Sequence, residues 1–139
     1  MARVTAKVIR KPRTKAVLRD YEGALRALVG RAGNLVRNTA VDSINQGSRS
    51  GVFYVRGGKP AQRSAAGEPP KTDEGILASN IVLKIDTNGL GVDVESRADY
   101  SEALEFGTSK MAARPFMQPA LEENKPKIRR LQKQMVRAK

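Results

Sequence analysis

The chain contains no cysteine, which excludes disulfides, thiolate nucleophiles and zinc sites built on sulfur. The fold has to hold without covalent staples, which suits a reducing compartment. There is no histidine either. The usual general base, the Ser-His-Asp relay and most transition-metal sites are thereby removed. Tryptophan is absent and aromatics are limited to three Phe and three Tyr, so the core is expected to be aliphatic and small. A core of that kind gains by packing on neighbours. Nowhere do about 18 apolar residues follow one another, the length a membrane span needs. The opening "MARVTAKVIRKPRTK" is basic but lacks the apolar run of a secretory signal. The reading is a soluble protein, made in the cytoplasm, with no membrane partner.

What is abundant is positive charge, and it is placed unevenly. The formal net charge is +12 over 139 residues. Residues 1–19 hold seven Lys or Arg and no acid, hence +7, and residues 122–139 hold seven bases against Glu122 and Glu123, hence +5. The remainder, 20–121, has twelve bases and twelve acids. All the excess therefore lies at the two ends. The length suits one domain, 1–139, with a basic N-terminal segment 1–15 and a basic C-terminal helix 119–139.

From Lys15 to Gln46, Leu18, Tyr21, Leu25, Leu28, Val29, Ala32, Leu35, Val36, Val41 and Ile44 recur mostly at three- and four-residue steps, which predicts one amphipathic helix. Gly30 and Gly33 interrupt it and read as a tolerated bend, with close approach of another backbone as the alternative. Residues 47–75 are rich in Gly, Pro, Ser and charge and read as an arm, mobile when alone, in which "GVFYVRGG" has short strand character. An alternating stretch follows at about 78–96. Ile81, Leu83 and Ile85 share one face, Val92 and Val94 belong to a partner strand, and "TNG" lies between them as a tight turn; the pattern is a hairpin lying on the long helix. A short helix is expected at about 99–106, with Asp99 as N-cap and Gly107 as stop. Pro115 and Pro119 then open a C-terminal helix striped by Leu121, Ile128, Leu131 and Met135, in which Pro126 should cause a kink or break. The fold class is α+β: a long N-terminal helix on a small antiparallel sheet, then a short helix, a proline elbow and a terminal helix.

The elbow "ALEFGTSKMAARPFMQPALEE" holds two of the three phenylalanines and two of the seven prolines. Thr108 and Ser109 can hydrogen-bond the connecting backbone, and the prolines remove freedom before a partner arrives. A stiff segment loses little entropy on docking. Phe106 is expected to pack in the core. Phe116 and Met117 stay open between core plugs and anchors for a neighbouring subunit. Candidate interface residues are Phe53, Tyr54, Phe106, Arg114, Phe116 and Met117. Candidate basic contacts, to DNA or to an acidic neighbour, are Arg3, Lys7, Arg10, Lys11 and Arg13.

The run "YSEALEFGTSKMAARPFMQPALEE", preceded by "SAAGEPPKTDEGILASNI", resembles the phage head-tail joining and tail-completion family (neck, minor tail component). That family carries a Tyr, then Glu-Phe-Gly-Thr, a short gap, Arg-Pro-Phe and Pro-Ala-Leu, and upstream a Ser-Ala-Pro-Gly-Glu-Pro-Pro segment. Ala66 stands where Pro is usual. The resemblance spans roughly 30–139 and leaves out residues 1–19 and Pro126. It implies a structural subunit assembled as a homo-oligomeric ring in the neck of a tailed phage or prophage virion. The implied neighbours are head-closure or connector and tail-tube proteins, with genomic DNA passing through the channel, no cofactor, no metal and no catalysis.

Two other classes compete. A basic nucleic-acid-binding protein fits the pI of about 10.5 and the charged ends, but the basic runs have almost no aromatics for base stacking and no helix-turn-helix or zinc signature. An enzyme would need carboxylates such as Glu102 and Glu105, three apart on one helical face, with a Lys or Arg. Such pairs are far more often a solvated face.

Overall fold

A computed structural model describes residues 12–47, 49–71 and 75–138, with side chains from residue 16 onward. The first helix, α1, spans Pro12–Gln46 and opens on a proline, whose missing N–H costs nothing in the first turn. Of its apolar series Leu28, Val36, Ala40 and Ile44 are buried, a single stripe at multiples of four. Residues 16–23 are all exposed, so the N-terminal turns of α1 run past the core.

The two helix glycines differ. A Cβ at Gly30 would meet nothing within 4 Å, whereas one at Gly33 would lie 2.8 Å from Val92 Cγ2 and 3.2 Å from Leu83 Cδ2. Gly33 is a seat for a packed hairpin, not a tolerated bend, and what approaches it is side chain instead of backbone.

Two antiparallel pairs form separate two-stranded sheets. In the first, β1 (Phe53–Arg56) and β2 (Lys59–Gln62) pair as Phe53 with Gln62 through Arg56 with Lys59. The link is Gly57-Gly58, with φ of 57° and 77°, the sign a two-residue primed turn requires. In the second, β3 (Ile81–Ile85) and β4 (Val92–Ser96) pair with Leu83 opposite Val94. The sequence places this hairpin at 78–96, but its strand starts at Ile81. Before it, Ile76–Ser79 form a helical turn, α2. The reason is that Leu77 and Ala78 are both buried; a strand would send consecutive side chains to opposite faces. The expected tight turn is also longer. Residues 86–91 close through Asp86 N–H donating to Gly91 O at 3.0 Å and Gly89 N–H to Asp86 O at 2.8 Å, with only Gly89 at positive φ. Arg26 of α1 holds that loop, Nε donating to Asn88 O at 2.9 Å.

The short helix α3 spans Ser101–Phe106 and starts after Tyr100, so Asp99 is not its N-cap. Ser101 Oγ instead donates to Ala98 O at 2.7 Å. Gly107, at φ 74° and ψ 177°, ends it in a backbone region open essentially to glycine alone. The last helix, α4, spans Met117–Arg137 and passes through Pro126 without a break. The proline ring is exposed and its missing N–H leaves only the Glu122 carbonyl without its helical donor. Pro119 sits in the first turn, as expected.

The fold is α+β. Helix α1 packs against α4 and against β3 and β4. The core joins Val36, Ala40 and Ile44 to Leu77, Ala78, Ile81, Ala98, Phe116 and Ala120. It is aliphatic apart from Phe116.

Candidate assembly interface

The elbow is held by backbone bonding from within the subunit. Glu105, in the last turn of α3, turns its carboxylate onto the start of α4. Its Oε2 accepts from Phe116 N–H at 2.9 Å and Met117 N–H at 3.0 Å, and Oε1 accepts from Gln118 N–H at 2.8 Å. A helix start has N–H groups with no intrahelical partner and a partial positive charge, so one carboxylate satisfies three donors where a negative charge is favoured. Between the two helices, Thr108 and Met111 exchange backbone bonds at 2.8 and 3.3 Å. Thr108 Oγ1 accepts from Lys110 N–H at 3.2 Å. Arg114 N–H returns to Leu104 O at 2.6 Å. A Cβ at Gly107 would stand 2.8 Å from Ala113 N and 2.9 Å from Met111 O, so the loop closes against a bare glycine.

The upstream proline segment docks on this elbow. Gly67 N–H donates to Ala113 O at 3.0 Å, and Ser64 and Pro70 are buried. Glu68 fixes the segment by accepting from Ala65 N–H at 2.8 Å and Ser50 N–H at 3.2 Å, and from the Ser50 hydroxyl. Two stretches some 40 residues apart in "SAAGEPP" and "EFGTSKMAARPF" are thus one structural unit.

The six residues singled out for an interface fall into three places. Phe116 is 1% exposed and belongs to the core, so it is a plug and not an anchor. Phe106, expected in the core, is 76% exposed. The Glu105 cap explains the exchange: it draws the chain over so that the residue after Glu105 faces out and the first residue of the α4 turn faces in. Phe106 and Met117 line an apolar groove of about 730 Å³ bounded by α1, β4, α3 and α4, with Gly33, Val36, Val92, Leu121 and Ile128. Tyr54 and Arg114 line a second cleft, of about 400 Å³, on the far side of Leu104. There the Arg63 guanidinium lies 4.8 Å over the Tyr54 ring, a cation–π contact, and Arg114 Nε is buried without a hydrogen-bond partner. Phe53 stands 70% exposed on β1, with Val52 and Val55 beside it. The candidate basic contacts Arg3, Lys7, Arg10 and Lys11 lie outside the described residues, and Arg13 is described only as part of the first turn of α1.

One residue of consequence carries no apolar signal. Asn124 of α4 is fully buried, its amide donating to Thr39 Oγ1 and Ala120 O, both at 2.8 Å. Asn124 Oδ1 has no partner. The stripe of α4 therefore runs Ala120, Asn124, Ile128, and Leu121 lies at its edge, 38% exposed. The four-residue step from Ala120 to Asn124 to Ile128 was the available clue.

Glu105 uses both carboxylate oxygens on backbone N–H groups, so it does not form an acid–base pair with Glu102. Among the described residues no cluster of three or more His, Cys, Asp or Glu is placed to hold a metal, and no helix is long and apolar enough to cross a membrane. Compared with protein-family profiles, curated proteins and solved structures, the chain gives no significant match.

Proposed function

We propose that this chain is a non-catalytic structural subunit of the neck of a tailed phage or prophage, forming a ring that joins the DNA-filled head to the tail. The observation that carries the reading is the union of the two resembling segments: Gly67 is bonded to Ala113, and Glu105 caps the helix that starts beside Phe116. Each residue type in the motif then has a structural task. Glu105 caps, Gly107 turns, Arg114 returns its N–H to α3, and Phe116 fills the core. The element order, long helix, long segment, hairpin, short helix, elbow and terminal helix, is also the order the resemblance implies. A motif that builds a rigid scaffold and leaves apolar surface on either side of it suits a subunit made to be packed among neighbours.

A basic nucleic-acid-binding role is the second reading, favoured by the exposed Arg129, Arg130, Lys133 and Arg137 toward the end of α4. In the neck reading the same charge faces either the threading DNA or an acidic neighbouring protein. Sedimentation and electron microscopy of the purified protein test the main reading. Closed rings of one size are expected, and a monomer at every concentration contradicts it.

A further inference from the structure

We infer that the β1–β2 hairpin of one subunit docks in the groove between α1, β4 and α4 of the next, a head-to-tail contact between copies of this chain. The inference rests on the ring reading above and names its contact.

The hairpin has a surface unsuited to water. Val52, Phe53 and Val55 are 78%, 70% and 75% exposed, three large apolar side chains within four residues. The groove is the complementary surface: apolar walls of Val36, Val92, Leu121 and Ile128 over the bare Gly33, with the exposed Phe106 at its edge.

Charge selects the pairing. Residues 49–67 contain Arg49, Arg56, Lys59 and Arg63 and no acid. The residues lining the groove include Asp93 and Glu105 and no base. On a chain of net charge +12, a lining whose only charges are negative would attract basic apolar surface and repel most of the rest of a second copy.

The fold keeps the two surfaces apart within one subunit. Tyr54, Arg56, Gln62 and Arg63 of the hairpin line the cleft that Leu104 borders, whereas Phe106 borders the groove. Helix α3 stands between them, and no residue lines both. Donor and acceptor are thus different patches of one chain, and a contact between different patches repeats head to tail, closing into a ring when the rotation allows.

The absence of cysteine makes the test direct. Val55→Cys and Leu121→Cys are introduced together in the full chain, and the assembled protein is treated with a short bis-maleimide cross-linker. A ladder of covalent multimers is expected from the double variant, dimers from a mixture of the two single variants, and no ladder from either single variant alone. Lys59→Glu is expected to raise the concentration for half-assembly about threefold, the scale of one rim charge pair, with Asp93→Lys in the same chain restoring it. Rings that form without the ladder, and without response to the charge swap, overturn this contact and leave the ring standing. A monomer that neither assembles nor cross-links overturns both. Cross-linking of a variant that assembles normally after Phe53→Ser and Val55→Ser would also count against the hairpin as the donor.

Discussion

Glu105 reaches across eleven residues to accept the backbone N–H of Phe116 at 2.9 Å, and the same carboxylate takes the N–H groups of Met117 and Gln118. The last turn of one helix thereby caps the first turn of the next, and the elbow angle is set by one side chain. Replacing Glu105 by Ala should cost about 2 kcal/mol, the scale of a lost cap with charge-assisted bonds. Glu105→Gln should recover part of this, since an amide oxygen still accepts. Urea unfolding midpoints measure both; an Ala variant within about 0.5 kcal/mol of the parent would show that water replaces the cap.

The glycines of α1 should respond in opposite directions. Gly30→Ala meets open space and should stabilise by up to about 1 kcal/mol through helix propensity. Gly33→Ala drives a methyl against Val92 at 2.8 Å, so its propensity gain should be cancelled or reversed. Equal gains at both positions would mean that the hairpin does not sit on Gly33.

Gly107→Ala combines a positive φ with a methyl placed against the backbone of Ala113 and Met111. Neither can give way as a side-chain tip does. The loss should be at least about 2 kcal/mol by thermal or urea unfolding, with Gly67→Ala milder because a Cβ there meets nothing within 4 Å.

Asn124 separates packing from polarity. Asn124→Leu removes an amide whose oxygen is already unpartnered and should be near neutral, whereas Asn124→Asp puts a carboxyl into a fully buried site. Burial raises the folded-state pKa of that acid above its unfolded value, so the folded state binds more protons and stability should fall as pH rises from about 4. A pH-independent Asp variant would mean that the site admits water.

Much of this architecture was legible because periodicity reports burial. Leu28, Val36 and Ile44 placed α1, the alternation of Leu83 and Val94 placed the second hairpin, and Gly107 placed a stop. Local rules failed where a distant contact decided. Asp99 is the nearest capping residue to α3, yet the strong cap of the region is Glu105 on another helix, a relation across eleven residues that no i to i+3 rule contains. Hydrophobicity alone made Phe106 and Phe116 equivalent, and only the cap determines which of them faces in. The first hairpin could have been found from Gly57-Gly58, two residues between extended stretches. Asn124 was hidden because a buried amide breaks the apolar stripe on which helix faces are read.

Phe116→Ala should now act on folding, with a cost of about 3–5 kcal/mol for a fully buried aromatic. Phe106→Ser should leave the unfolding midpoint nearly unchanged and weaken assembly. Comparing unfolding with sedimentation separates the two residues, and the reverse pattern would return Phe106 to the core.

The role in the neck is tested most directly by electron microscopy of particles assembled without this chain. The account predicts DNA-filled heads beside complete but unattached tails, with joining restored when the purified protein is added back. Joined particles of normal number and infectivity in its absence would contradict it.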